Sequence, residues 1–485
     1  MARYEPRLAD KPHQTIGKDR MRGRRVFALL MAMRTGKTKT ALDDFGEMEL
    51  AGEAKDLHVM APKGSYRVWL QQIREHASED LLTRARVHVW ETKGGVDHDF
   101  ALREFMRSAD PKVPRILIQN IESLVTERAR DLTVNFVGQR HAEVVVDEST
   151  IIKTHNIART KFMLRRVKPL SSYRRILSGL PAPRDPLDLF CQFYFLDSRI
   201  LRCTNYYEFK ARYAITRRIP VPNTRLGYVD IVVGFQYVDE IAELIAPHSY
   251  RIKLDDIVEL PVKYEQWEVE MTPEQRRIYV KLREEAIAEL EVPGTFVSGA
   301  MVVVRMLRLH QLLMGYVVDQ NGVHREIDEN RTQALLDLLA EYDGKAVIWC
   351  SYDYSVRKIA AALEKEYGAE AVARFWGRNA NVREEEDRRF TQEDKCRFMV
   401  ATPGSGGRGR KWDVANLVVY YSNTDNLEHR DQSEERAKDM HKEATTLYVD
   451  LVVKGTVDEK IIRALRQKIN LAATITGDDY REWLI

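Results

Sequence analysis

Two short clusters in this chain of 485 residues carry the side-chain types needed to handle a polyphosphate. In the first, Arg34-Thr35-Gly36-Lys37-Thr38 follows the apolar run Val26–Met33 and precedes the helix-forming Lys39-Thr40-Ala41-Leu42. A glycine turn between strand and helix aims backbone N–H groups and the positive helix end at phosphate oxygens. Lys37 has the reach for β/γ oxygens, and the Thr38 hydroxyl suits magnesium. The pattern G-x-x-x-x-G-K-T is incomplete, because Met31 stands where its first glycine belongs. In the second cluster, Val144-Val145-Val146 runs into Asp147-Glu148-Ser149-Thr150. Carboxylates at the end of a buried strand supply what the first cluster lacks: Asp147 to hold magnesium through water, Glu148 to orient and deprotonate an attacking water. Taken alone, each cluster also fits an ordinary surface turn. Taken together, they predict a nucleotide-hydrolysing site that uses Mg2+.

The elements that must position these residues are legible as a pattern. Short apolar runs at Val26–Met33, Leu57–Met60, Ile116–Ile118, Val144–Val146 and Ile176–Leu177 alternate with polar loops and helical stretches, as expected of βα units on a buried parallel sheet. A second series comprises Ala346–Cys350, Phe398–Ala401, Leu417–Tyr421 and Thr446–Val453. The fold class is therefore α/β, with two lobes. Between them Thr272 is a candidate N-cap with Pro273 at the first helical position, and Thr272 to about Asn330 reads as mainly helical. The expected division is an N-terminal lobe over 1–250, a connecting segment with a helical insertion over 251–335, and a C-terminal lobe over 336–485.

Composition narrows the class. Hydrophobic residues at 44% and charged residues at 31% allow substantial cores, which excludes a disordered chain. The net charge of +3 is too small to identify a nucleic-acid binder by itself. Cys191, Cys203, Cys350 and Cys396 have no C-x-x-C pairing, so neither a zinc site nor a disulfide framework is indicated. No apolar run approaches the roughly 20 residues needed to cross a bilayer, and the expectation is a soluble, cytoplasmic protein with no membrane partner. From Ser149 to Arg184 there is no acid, while Lys153, Arg159, Lys161, Arg165, Arg166, Lys168, Arg174, Arg175 and Arg184 are basic. This stretch is either a phosphate-contact surface or a solvated face.

Further blocks resemble, in order, those of superfamily-two helicases, and especially their Swi/Snf-like branch. Lys11-Pro12-His13-Gln14 resembles the adenine-reading Q motif, Met33-Arg34-Thr35-Gly36-Lys37-Thr38 looks like motif I, and Ala61-Pro62-Lys63 with Trp69 resembles motif Ia. Asp147-Glu148-Ser149-Thr150 looks like the DExx box, and Leu177-Ser178-Gly179-Leu180-Pro181-Ala182-Pro183 is similar to the branch's version of motif III. In the second lobe, Val347–Tyr352 resembles motif IV, Ala401-Thr402 with Gly406-Gly407-Arg408-Gly409 motif V, and Gln432-Ser433-Glu434-Glu435-Arg436 motif VI, while Gly455–Lys460 resembles the family's closing block. The resemblance implies two RecA-like P-loop lobes with ATP in the cleft between them and a nucleic-acid strand running across both. It implies nucleotide contacts from Gln14, Met33, Arg34, Thr35, Gly36, Lys37, Thr38, Gly407, Gly409 and Arg436, catalytic roles for Lys37, Glu148, Gln432 and Arg436, and metal binding by Thr38 and Asp147. Lys63, Thr402, Arg408, Arg410 and Lys411 are the expected nucleic-acid contacts, although exposed loop charge is the alternative for the last three.

The implied activity is that of an ATP-dependent DNA translocase or helicase, with duplex favoured, single strands possible and RNA still open. A monomeric motor working with replication or recombination proteins is the expected setting. The tail Arg481-Glu482-Trp483-Leu484 looks like that of compact bacteriophage helicases, which would put the protein in host cytoplasm. Two departures stand out. Motif VI in the branch has a second arginine where this chain has Asp439. If Gln432 to Lys442 is helical, Asp439 pairs with Arg436 at i, i+3 and orients it as the sole arginine finger, with Arg430 or Lys438 as auxiliary; otherwise the departure leaves an impaired ATP-binding, DNA-binding or remodelling subunit. The other is Arg34, in a position often occupied by glycine, which either adds charge near the phosphates or pairs with a carboxylate.

Overall fold

The computed structural model describes residues 4–465 apart from 64, 92–93, 108–109, 111, 183–184, 221–227, 255, 258–260, 292–306, 320–321, 380–381, 405–410, 424–426, 440–441, 443 and 463–464. Two compact units divide the chain, the first holding Met1–Ile215 and Val232–Glu259, the second Thr216–Ile231 and Leu260–Lys468.

In the first unit seven parallel strands follow the order β3-β4-β2-β5-β6-β1-β9: β1 (Val26–Met31), β2 (Asp56–Ala61), β3 (Arg86–Val89), β4 (Arg115–Asn120), β5 (Ala142–Val146), β6 (Tyr173–Leu177) and β9 (Ser249–Ile252). The two missing labels belong to a separate pair, β7 (Ala214–Pro220) and β8 (Tyr228–Phe235). β2, β4 and β5 are buried along their whole length, as strands of a parallel sheet covered on both faces should be. Helices cover it. α1 (Pro12–Met21) begins with proline in its first turn, α2 (Lys37–Ala51) starts after Gly36 and stops at Gly52, and α3 (Tyr66–His76) turns Tyr66, Trp69 and Ile73 to the core at helical spacing.

In the second unit six parallel strands follow the order β10-β17-β16-β13-β15-β14: β10 (Val262–Glu268), β13 (Ala346–Trp349), β14 (Val372–Phe375), β15 (Phe398–Ala401), β16 (Leu417–Tyr420) and β17 (Thr446–Val452). The small antiparallel pair β11 (Tyr316–Val318) and β12 (His324–Glu326) completes the strands. Two parallel sheets flanked by helices are the RecA-like pattern expected. The reading of Thr272 to Asn330 as mainly helical holds for Pro273–Glu291, where the Gln275 N–H donates to Thr272 Oγ1 at 3.1 Å as a cap should arrange. It fails at β11 and β12, which are three residues each and too short to register in a long window. All four cysteines are free and buried.

Candidate nucleotide site

The phosphate loop leaves the buried end of β1. Arg34 (φ 65°) and Gly36 (φ 90°) both take left-handed backbone, which turns the chain sharply into α2. Glycine is required at 36 for a second reason: a Cβ there would lie 2.0 Å from Gln14 Nε2. Lys37 Nζ donates to Met31 O at 2.8 Å and Ala32 O at 3.2 Å, which holds the ammonium over the loop, and Thr35 Oγ1 donates to Ala32 O at 2.8 Å. The first turn of α2 contains no acid, so its N–H groups and positive end face the loop without a competing carboxylate.

α1 clamps this loop from the side. His13 Nε2 and Gln14 Nε2 both donate to Thr35 O, at 2.7 and 3.2 Å, while Gln14 Oε1 accepts from the Lys11 N–H at 3.0 Å. Both side chains are buried, and the donor–acceptor pattern fixes the Gln14 amide.

The acids lie at the same end of the sheet. β6 pairs with both β5 and β1, with Val146 level with Ile176 and Ile176 level with Ala28. β5 and β1 thus run two strand spacings, roughly 10 Å, apart, and β1 continues past the level of Val146 to Met31. Asp147 is held on three sides: its N–H donates to Met60 O at 2.8 Å, Oδ2 accepts from Trp69 Nε1 at 3.0 Å, and Oδ1 accepts from the Glu148 N–H at 3.0 Å. Glu148 adopts left-handed backbone (φ 48°, ψ 60°), a strained state for a residue with a side chain, and its carbonyl accepts from the Ile151 N–H at 3.0 Å. Behind it, Ser149 Oγ donates to Gln192 Oε1 at 2.6 Å. The segment after β6 runs against the phosphate loop, since a Cβ on Gly179 would lie 3.6 Å from both Met31 O and Met33 N.

In the second unit three segments meet at Arg436. Its buried guanidinium lies over the rings of Trp412 and Trp349, at 5.0 and 5.8 Å from their centroids, and its carbonyl accepts from the Trp412 N–H at 2.8 Å. Trp412 is in turn anchored by Nε1 donating to Asp387 Oδ1 at 2.7 Å. The helical relation expected of Asp439 does not form. The helix Leu427–Glu434 ends before Arg436, which sits in the following turn, and Asp439 lies 4.0 Å from Lys411 Nζ. Arg430 is absorbed by Asp450, Asn423 and Glu434, and Lys438 by Glu435 and Glu434, so the two auxiliaries considered serve buried ion pairs.

A family model described as the SNF2-related domain matches residues 25–312, more than half of the chain. The protein belongs to the SNF2-related family. Protein p41 of Acyrthosiphon pisum secondary endosymbiont phage 1 is 24% identical over 346 residues, covering 67% of this chain and 70% of p41. TATA-binding protein-associated factor MOT1 of Saccharomyces cerevisiae is 21% identical over 386 residues, covering 69% of this chain but 20% of MOT1, so the chain spans about a fifth of that relative. Among solved structures, the Sulfolobus solfataricus SWI2/SNF2 ATPase core in complex with dsDNA is similar at 20% identity and a TM-score of 0.43, covering 100% of this chain and 97% of that one. A second structure, of the Sulfolobus solfataricus SWI2/SNF2 ATPase core domain, gives 20% identity and a TM-score of 0.39, covering 99% of this chain and 93% of that one.

Within this SNF2-related chain, the first unit carries Met33, Arg34, Thr35 and Gly36 on the loop after β1 and Lys37 and Thr38 at the start of α2, packs Gln14 of α1 against that loop, and sets Asp147 and Glu148 at the same sheet end. The second unit places Gln432 on the helix that precedes the Arg436 turn. Lys63 and Lys411 are exposed, with the Lys63 N–H donating to Glu122 Oε2 at 3.0 Å. Thr402 is buried, and its hydroxyl has no hydrogen-bond partner among the described residues. Gly407, Arg408, Gly409 and Arg410 lie outside the described residues. The basic stretch is only in part a surface. Arg175 is buried against Asp44 at 2.8 Å, Arg174 donates to the carbonyls of Leu196, Lys168 and Ser171, and Lys153 reaches Asp188 at 3.5 Å, which leaves Lys161, Arg165 and Arg166 exposed. In the sequence motifs His13 has no role of its own, Trp69 is only a marker, and Trp412 and Gln192 do not stand out. For His13 the adjacent Gln14 was the available signal; the partners of the others are distant in sequence and leave none.

Proposed function

We propose that this protein is a nucleic-acid-dependent ATPase that hydrolyses ATP to ADP and phosphate and uses the cycle to move along duplex DNA. The observation that carries the reading is the convergence of a left-handed glycine turn, the Lys37 ammonium and the Asp147–Glu148 turn at one end of a parallel sheet. The donor set suits a magnesium nucleotide: helix N–H groups and an ammonium for phosphate, a hydroxyl (Thr38) and a carboxylate (Asp147) for a hard cation. Magnesium, when bound, neutralises triphosphate charge. Lys37 binds the β/γ oxygens, and its present carbonyl partners are exchanged for phosphate. Glu148 accepts a proton from the water whose oxygen attacks the γ-phosphorus as the bond to the bridging oxygen breaks. Gln14 is the proposed adenine contact, and Gln432 and Arg436 are the proposed contribution of the second unit, with Arg436 stabilising charge on the transferring group.

Lys63, Thr402 and Lys411, with Arg408 and Arg410, are proposed to grip the phosphodiester backbone. Duplex is preferred because the motif blocks resemble the Swi/Snf-like branch, whose motors track the double helix. Steady-state ATP hydrolysis with magnesium tests the reading, measured without nucleic acid and with single-stranded DNA, duplex DNA and RNA. Strong stimulation by duplex that vanishes in Lys37→Ala is expected. Hydrolysis indifferent to every nucleic acid would contradict it, and no hydrolysis under any condition would leave a binding subunit.

A further inference from the structure

One buried side chain outside the motif blocks touches both the acid-bearing turn and the segment beside the phosphate loop. Gln192 lies on the helix Leu189–Leu196, whose other inward residues are apolar, and is fully buried. An amide in that setting is costly unless its bonds are made. Here they are: Oε1 accepts from Ser149 Oγ at 2.6 Å, and Nε2 donates to Pro181 O at 2.6 Å and Asp188 O at 2.8 Å. Because both amide protons go to carbonyls, the amide has one orientation, with its oxygen toward Ser149. A second strap runs parallel, Lys153 Nζ to Asp188 Oδ2 at 3.5 Å.

The two ends of this link matter. Ser149 directly follows Glu148, whose left-handed backbone persists only if its surroundings hold it. Pro181 stands two residues after Gly179, whose Cβ position is 3.6 Å from the loop atoms Met31 O and Met33 N. The chain from phosphate loop to base therefore passes through residues 179–181, Gln192 and Ser149. None of these bonds involves Lys37 or the first turn of α2.

We propose that Gln192 is a positioning residue that ties the Glu148 turn to the segment lining the phosphate loop, so that turnover, and not nucleotide binding, depends on it. The inference rests on Glu148 being the base. The test uses the full chain and the variants Gln192→Met, Ser149→Ala, their double, and Glu148→Gln, reading kcat and KM for duplex-stimulated hydrolysis, Kd for a fluorescent ATP analogue, and Tm. Each single variant is expected to lower kcat about tenfold or more, with KM and Kd within about twofold of wild type, as loss of aim at the reacting water requires. The double variant is expected to match the worse single within about twofold, because both break the same link. Unchanged kcat, effects that multiply in the double, or a change in KM and Kd with kcat intact would overturn it. If Gln192→Met fails to fold, Ser149→Ala, which leaves both carbonyl bonds in place, carries the same expectation. Wild-type turnover in Glu148→Gln would instead remove the base itself, and that outcome separates failure of the site from failure of the link.

Discussion

Asp147 shows how neighbouring donors orient a carboxylate, the Glu148 N–H meeting Oδ1 at 3.0 Å. Trp69 Nε1 occupies one of its oxygens at 3.0 Å, fixing the direction of the other. Trp69→Phe keeps the ring and removes the donor, and should raise the magnesium concentration for half-maximal hydrolysis about tenfold while leaving the fold intact. Gly36 is constrained twice over, by its φ of 90° and by the Gln14 amide 2.0 Å from its missing Cβ. Gly36→Ala should therefore weaken nucleotide binding, and adding Gln14→Ala should recover only the steric part, because the left-handed strain of about 1–2 kcal/mol stays. A fluorescent ATP analogue measures both; equal affinity in wild type and Gly36→Ala would contradict the constraint. At this scale the sequence made Lys37, Asp147 and Glu148 legible because each sits beside a strand of plain apolar character. Gln192 and Trp412 stayed hidden because their partners come from distant segments.

The elements carry a charge cluster of their own behind the site. Arg175 on β6 lies between Asp44 on α2 and Glu143 on β5, at 2.8 and 3.5 Å. Burial pushes the Glu143 carboxyl up to about 8, Arg175 opposing the shift and Asp44 adding to it. Between the ordinary value of 4.5 and about 8 the folded state binds more protons than the unfolded chain, so this group's stabilisation is lost as pH rises through that window. Glu143→Gln should flatten the pH dependence of unfolding between about pH 5 and 8 and raise the midpoint most near pH 8. An unchanged slope would contradict this. His58 has the opposite sign: burial pulls it down to about 4 from 6.5, so its stabilisation is present above 6.5 and lost as pH falls. The strands that position the site were legible because fully buried parallel strands read as continuous apolar runs. β3, with an exposed end, and β10, mostly exposed at the sheet edge, have no such run and were not visible. The reading of Thr272 to about Asn330 as mainly helical runs past β11 and β12 for a related reason, since three-residue strands leave too short a signal to detect.

For the whole molecule, a net charge of +3 provides little general attraction for a polyanion, so nucleic-acid affinity must come from local cations. Lys411→Ala should weaken duplex binding by a similar factor on every sequence and reduce the log–log salt slope by about one, measured by fluorescence anisotropy across a salt series. A sequence-selective loss would argue against a backbone contact. The motor reading requires ATP hydrolysis to drive movement along duplex DNA. Displacement of a third strand from a linear duplex carrying a triplex tests it most directly. Displacement is expected to require both ATP and magnesium, to grow slower as the track is lengthened, and to be absent in Lys37→Ala. A third strand left in place while duplex DNA still stimulates hydrolysis would contradict it.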